Sequence, residues 1–161
     1  AQRGRRHEHP RVREVDGVRE FVLVDEAALH SGSGGADRRA IVFTQRDVRQ
    51  LQLAKGAIRP GIDLLLASGG REAEEIDSVI IAGAFGTYID IASAITIGLL
   101  PRLPLQRFRQ VGNAAGMGAK LVLLSRAKRD AARALASRVG YLELAGHPLF
   151  STTFAQAMLL G

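Results

Sequence analysis

The chain contains no cysteine and no tryptophan, and only 5% of its 161 residues are aromatic. The absence of cysteine excludes disulfides, thiolate zinc sites, cysteine nucleophiles and cysteine-ligated iron–sulfur clusters within these residues. No apolar run approaches the roughly 18 residues of a membrane helix, and the longest, residues 79–85, is typical of a buried strand. Residues 1–9 also lack the apolar stretch of a signal peptide, so we expect a cytoplasmic protein without a membrane partner.

The net charge of +6 is concentrated in residues 1–13 and 120–138. Basic faces of this kind can bind nucleic acid. Both segments, however, lack the interleaved aromatic side chains that stack on bases. We therefore expect solvated, arginine-rich faces, with nucleic-acid binding as the lesser alternative.

Neither a metal site nor a catalytic centre is predicted from the residue types and their spacing. His7, Glu8 and His9 are adjacent, but two imidazoles in a charged terminus do not complete a metal site. The serines have no accompanying histidine and aspartate pattern, so nucleophilic catalysis has no support. No residue is therefore assigned a catalytic role.

Strands that alternate with helices predict an α/β fold. Asp16-Gly17 predicts a hairpin turn, and Thr44 with Asp47 three residues later predicts a helix start. Pro60 predicts a kink or break within that helix. The predicted strands are residues 12–15, 19–24, 40–43, 78–82, 107–111 and 141–144, the apolar 78–82 being covered on both faces. Helices are predicted after residue 44, over 91–97, from about 118 to 138 and over 148–160.

We expect a single domain over residues 1–161. Residues 1–43 supply strands and a glycine-rich loop at 31–35, residues 44–77 form a helical subdomain, and residues 78–161 form an α/β subdomain. The loop lacks the lysine and hydroxyl residue that follow a phosphate-binding P-loop, so it is predicted to be an exposed hairpin tip.

Two glycine-rich turns follow predicted strands. They are Gly83-Ala84-Phe85-Gly86 and residues 112–119. Glycine lets the backbone approach a ligand closely, and such turns at the carboxyl ends of α/β strands line ligand crevices. Neither turn has the spacing of a dinucleotide fingerprint. Ligand contact and tight packing both remain open for the first turn, and packing is favoured for the second.

The helix that begins after Thr44 carries Gln52 and Lys55 three residues apart, so both side chains share one face. An amide and an ammonium that project together can hydrogen-bond ribose hydroxyls or a purine edge. A solvated helix face is the alternative interpretation.

Four segments occur in a specific order, and together they resemble the C-terminal part of the reductive activators of corrinoid proteins. Relatives of this family are described as ferredoxin-like or uncharacterised metal-binding proteins. The resemblance covers about residues 11–160. The segments are Thr44-Gln45-x-Asp47 leading to Leu51-Gln52-Leu53-Ala54-Lys55-Gly56-Ala57-Ile58, then Ile81-Ala82-Gly83-Ala84-Phe85-Gly86-x-Tyr88-Ile89-Asp90, then Ile97-Gly98-Leu99-Leu100-Pro101, and finally Val111-Gly112-Asn113-Ala114-Ala115-Gly116.

The resemblance implies the fold of the actin-like ATPase superfamily, in which a nucleotide lies between two lobes of ribonuclease-H-like fold. This chain would be the second lobe, with β-hairpin elements at its start and an inserted helical subdomain. The resemblance also implies that Gly83, Ala84, Phe85 and Gly86 contact adenosine. Gln52 and Lys55 match the Glu-x-x-Lys helix that covers adenine and ribose in chaperone relatives, although Gln52 departs from the acidic residue there.

The resemblance further implies ATP or ADP as ligand, with magnesium in the intact protein, a corrinoid protein as partner, and a possible homodimer. In the intact relative, ATP would support electron transfer from a 2Fe–2S cluster in a separate N-terminal module. The phosphate-binding turns of the superfamily, Asp-x-Gly-Thr and Asp-x-Gly-Gly, do not occur in this sequence. We therefore expect a fragment without ATPase activity of its own. The alternatives are a non-catalytic binding or dimerisation module and a nucleic-acid-binding domain.

Overall fold

The computed structural model describes residues 9–29, 39–83 and 85–159, except for the side chains of Ala27, Leu29 and Phe85. It divides into two compact units, Ala1–Leu53 and Ala54–Gly161. The strands are β1 Val12–Val15, β2 Val18–Val24, β3 Ile41–Thr44, β4 Val79–Ala82 and β5 Phe108–Val111. The helices are α1 Glu26–Leu29, α2 Gln45–Ser68, α3 Phe85–Tyr88, α4 Ile91–Thr96, α5 Ala114–Leu124, α6 Arg126–Ala136 and α7 Phe150–Ala157.

The first unit contains an antiparallel sheet in the order β1-β2-β3. Asp16 and Gly17 both have positive φ angles, 50° and 76°, in the two-residue turn between β1 and β2. This turn matches the right-handed twist of the paired strands, so the predicted hairpin is confirmed. The predicted glycine-rich loop at residues 31–35 lies outside the described residues.

Helix α2 begins directly after Thr44, as predicted. The Thr44 backbone N–H donates to the Asp47 carboxylate at 2.8 Å, and the Asp47 N–H donates to the Thr44 hydroxyl at 3.3 Å. These reciprocal bonds satisfy backbone donors that the first helical turn leaves unpaired.

Of the kink or break predicted at Pro60, the break does not occur, because α2 continues through this residue to Ser68. Proline removes one backbone donor within a helix and crowds the carbonyl four residues earlier. Here that earlier residue is Gly56, and the Pro60 side chain is fully buried. Burial in the core offsets the local cost, so tertiary packing overrides the residue's intrinsic preference.

The second unit contains the parallel pair β4-β5, with Val79 opposite Phe108 and Ala82 opposite Val111. Its core includes a cluster beside this pair, formed by the buried Ala94, Leu99 and Leu100 with partly buried residues packed around them. The expectation that both faces of β4 are covered is wrong, since alternate residues are exposed and Ile80 retains 62% of its accessible surface. The apolar run therefore gives a strand with one half-buried and one exposed face.

The predicted long helix up to about residue 138 is two helices, α5 and α6. Ser125 separates them with an extended backbone (φ −134°, ψ 121°). Its hydroxyl accepts the Lys128 N–H at 3.3 Å, so this residue ends α5 and caps α6. The Arg129 guanidinium also donates to the Val122 and Leu123 carbonyls at the end of α5.

The predicted strand over residues 141–144 is also wrong. The Tyr141 hydroxyl donates to the Glu143 carboxylate at 2.5 Å, and this carboxylate also accepts the Ala145 N–H at 3.1 Å. These local bonds hold a bend in place of a strand. The last predicted helix is confirmed as the shorter α7, and the α/β fold class is confirmed as well.

Asp90 caps α4, because its carboxylate accepts the Ser93 N–H at 2.8 Å. Hydrogen bonds from the side chain and backbone of Ser93 lower the pKa of Asp90. A lowered folded pKa contributes stability above the unfolded value of about 3.9, and that contribution is lost as the pH falls through the folded pKa. We expect Asp90→Asn to keep the cap and to lose less folding stability than the wild type as the pH falls.

Urea denaturation at about pH 6 and about pH 3 measures this difference. The wild type should lose more of its urea midpoint between the two pH values than Asp90→Asn does, because asparagine caps equally well and does not titrate. Identical losses in both proteins would show that the Asp90 carboxylate does not contribute to the acid sensitivity.

Candidate functional site

The turns that follow β4 and β5 meet at the carboxyl edge of the parallel pair. The Gly83 N–H donates to the Gly112 carbonyl at 2.8 Å, and the same carbonyl accepts the Ala114 N–H at 2.8 Å. The two glycine-rich segments, separate in sequence, therefore form one continuous backbone surface. This is the edge at which open α/β sheets bind ligands.

Gly86 lies against the ends of both strands and is buried. A Cβ on this residue would collide with the Ile81 carbonyl oxygen and would lie 2.8 Å from the Val111 carbonyl oxygen. Glycine is therefore required there for α3 to begin directly over the sheet edge.

Gly83 differs from Gly86, because it has a φ of +80° and no described atom lies within 4 Å of the position of a Cβ. Its backbone is therefore open to a ligand. Ala84 and the side chain of Phe85 lie outside what the structure describes.

The second turn is organised by Asn113, the N-cap of α5. Its side-chain oxygen accepts the Gly116 N–H at 2.8 Å. A Cβ on Gly116 would lie only 2.5 Å from the Asn113 side-chain nitrogen, so glycine is needed for this cap. Gly116 is thus required by the cap of its own helix, and the packing of residues 112–119 against the sheet stays a prediction.

Lys55 is buried, with 5% of its surface accessible. Its ammonium donates to the Leu159 carbonyl at 2.5 Å and stands 3.0 Å from the position of a Cβ on Gly98. Gly98 has a φ of +75° directly after α4, and the missing side chain makes room for the ammonium.

Lys55 lines a cavity of about 310 Å³ within the second unit. Of the described residues, neither Gly83 nor Gly86 lines this cavity. The structure thus does not bring Lys55 and the first glycine turn into one described pocket. Gln52 is half-buried and lies one helical turn before Lys55 on α2. The cavity residues are Lys55, Arg59, Asp63, Thr96, Gly98, Arg102, Thr153, Gln156 and Ala157.

Sequence reasoning missed the cavity because its residues come from three distant segments. The Arg59 side chain donates to both Asp63 carboxylate oxygens at 2.9 and 3.0 Å, and helical spacing of four residues was a signal for that ion pair. No comparable signal placed Arg102 or Gln156 beside Lys55, since these contacts depend on how the helices pack.

The histidine-containing terminus gives no metal site in the described ranges. His7 and Glu8 lie outside those ranges. His9 accepts the Arg11 N–H through Nδ1 at 3.2 Å and packs on the Phe21 ring, with centroids 5.3 Å apart. Within residues 9–29, 39–83 and 85–159, no three potential ligands are grouped closely enough to hold a metal ion.

The family model described as the C-terminal domain of RACo, the ASKHA domain, matches residues 1–161. This chain belongs to that family. The match confirms the resemblance that the ordered segments indicated. Among the helices of this RACo-family domain that the structure describes, none has the length and apolar character needed to cross a bilayer.

Known proteins similar to this RACo-family domain carry names that refer to corrinoid activation or to a corrinoid protein. It is 41% identical over 121 residues to the corrinoid activation enzyme RamQ of Eubacterium limosum, covering 75% of this chain and 20% of RamQ. It is 27% identical over 99 residues to the [Co(II) methylated amine-specific corrinoid protein] reductase of Methanosarcina barkeri, covering 62% of this chain and 18% of that protein.

A solved structure supports the fold directly. The reductive activator for corrinoid, iron–sulfur protein superposes with a TM-score of 0.78 and 38% identity, covering 93% of this chain and 23% of that chain. The chain thus spans about a fifth of the length of the curated relatives that it matches.

Proposed function

We propose that this RACo-family domain supplies the adenosine-contacting side of a nucleotide site in an ATP-dependent reductive activator of a corrinoid protein. The observation that carries the proposal is the hydrogen bond from the Gly83 N–H to the Gly112 carbonyl, which joins the two family-specific turns at the carboxyl edge of β4 and β5. Membership of the family and the activators among its relatives support the same role.

The geometry of the turns supports this proposal. Gly83 leaves open space above the backbone, and Gly86 allows α3 to start without a side chain between helix and sheet. In the proposal, Gly83, Ala84, Phe85 and Gly86 contact adenosine through this surface. Lys55 donates one N–H to the Leu159 carbonyl, which leaves two N–H donors of its ammonium for a ligand.

In the proposed intact activator, ATP with magnesium would supply the free energy for one-electron transfer from a reduced 2Fe–2S cluster to a cob(II)alamin-type cofactor in the partner. This chain has no cysteine to hold such a cluster. We therefore assign it nucleoside binding and lobe closure, with no catalytic residue and no ATPase activity by itself. A cytoplasmic location and a homodimer remain predictions.

Titration of the 161-residue chain with ADP, followed through backbone amide chemical shifts, tests the adenosine assignment. We expect saturable shifts at Gly83 and Gly112 at about millimolar ADP, and weaker binding by roughly tenfold in Gly83→Ala, because a methyl group would enter the open space. Gly70→Ala is the matched control, since Gly70 also has positive φ and an open Cβ position.

The two variants carry similar backbone strain, so only the Gly83 variant should weaken ADP binding. If ADP shifts neither turn, or if both variants weaken binding equally, the adenosine assignment is wrong for this chain.

A further inference from the structure

The cavity beside Lys55 lies where α2, α4 and α7 of the second unit approach one another. Close packing of α2 and α7 is visible at Gly56, where a Cβ would stand 2.9 Å from Met158 and 3.0 Å from Phe154. Gly98, after α4, leaves space on the third side. Glycines therefore allow the elements around the cavity to lie close together, since Gly56 has no side chain against α7 and Gly98 has none against Lys55.

The charge of its lining is unbalanced. Three cationic side chains, Lys55, Arg59 and Arg102, face one carboxylate, Asp63. Asp63 already accepts two hydrogen bonds from Arg59. The described acceptor of the Lys55 ammonium is the neutral Leu159 carbonyl, and no described residue pairs with the Arg102 guanidinium by a hydrogen bond or an ion pair. Counting only residues that the structure describes, the lining therefore has two positive charges without a carboxylate to balance them.

A buried ammonium is costly unless nearby charge and hydrogen bonds compensate it. Lys55 is almost fully buried and uses one of its three N–H donors on Leu159. Arg102 is exposed and presents a planar set of donors that matches phosphate oxygens. The Gln156 amide adds a neutral donor. The hydroxyls of Thr96 and Thr153 already donate to helix carbonyls and do not contribute.

We propose that this cavity binds a phosphate group through Arg102, Lys55 and Arg59. Guanidinium and ammonium donors on α2 and on the segment after α4 line one cavity, and together they suit the several oxygens of a phosphate group. The volume of about 310 Å³ leaves room for more than a bare ion and lies at the lower end for small-molecule sites. The site is separate from the glycine turns and goes beyond the proposed adenosine contact.

This proposal is tested by titrating the 161-residue chain with inorganic phosphate and, separately, with glycerol 3-phosphate. Backbone amide chemical shifts are followed while chloride holds the ionic strength constant. We expect saturable amide shifts at Gly98 and Gln156. Arg102→Ala should weaken binding by about tenfold, the usual effect of losing one charge-assisted hydrogen bond. Arg126→Ala is the matched control, because Arg126 is also exposed and has no partner among the described residues.

Tighter binding of glycerol 3-phosphate identifies a phosphate ester as the ligand, and equal binding identifies free phosphate; both support the site. Absence of saturable shifts, or equal weakening in the two arginine variants, overturns it. The ADP titration reads Gly83 and Gly112, whereas this titration reads Gly98 and Gln156. Failure of one proposal is therefore distinguishable from failure of the other.

Discussion

A Gly86→Ala variant is expected to lose about 3 kcal/mol of folding free energy or more, at the upper end for overpacking a filled site. The added methyl group would collide with the Ile81 carbonyl oxygen and lie 2.8 Å from that of Val111. Both oxygens belong to backbone at the ends of β4 and β5, so neither can move aside as the tip of a flexible side chain would. The parallel pair or the start of α3 must shift, and the turn joined through Gly83 and Gly112 shifts with it.

Urea denaturation followed by circular dichroism measures this loss. Gly118→Ala is the matched control, since Gly118 lies within α5 and no described atom is within 4 Å of its Cβ position. Alanine there should stabilise the helix by roughly 0.5–1 kcal/mol. If Gly86→Ala unfolds at the wild-type urea concentration, α3 does not lie as close to the strand ends as the structure places it.

Leu100→Ala is expected to cost about 3 kcal/mol of folding free energy, within the usual range for removing a buried leucine side chain. Leu100 is only 6% exposed and lies in the core cluster with Ala94 and Leu99. Alanine would leave a cavity beside these residues, because the backbone there is held by Arg59, whose guanidinium donates to the Leu100 carbonyl at 3.4 Å.

Thermal and urea unfolding of Leu100→Ala should be compared with those of Leu105→Ala. Leu105 is 54% exposed, so its truncation should cost less than about 1 kcal/mol. Comparable losses in the two variants would contradict the placement of the core. Burial also accounts for the Ile97–Pro101 segment of the family pattern. Leu99, Leu100 and Pro101 are buried, and Gly98 turns the chain with a positive φ.

Much of the local structure was predictable because its causes lie within a few residues. The Asp16-Gly17 turn and the Thr44–Asp47 cap follow from side chains that bond to neighbouring backbone groups. The separation of α5 from α6 at Ser125 also has a local cause, since the Ser125 hydroxyl caps α6. It was missed because the apolar spacing on both sides resembles that of one continuous helix.

Other predictions failed where tertiary packing determines the path of a helix or the burial of a strand. Proline discourages a helix by its own chemistry, yet α2 passes through Pro60 because that residue is fully buried. An apolar run such as Val79–Ala82 predicts coverage on both faces, yet Ile80 is exposed. Burial depends on which other segments cover a residue, and hydrophobicity alone does not specify them.

By itself, the sequence determined the family, the α/β class and the two glycine-rich turns, because these follow from residue order and local backbone preference. Only the tertiary structure decided that Gly83 donates to Gly112, that Gly86 lies under two strand carbonyls, and that Lys55 reaches Leu159, 104 residues away. Contacts at such separation arise when helices and strands pack together, and no local pattern encodes the partner of a buried ammonium.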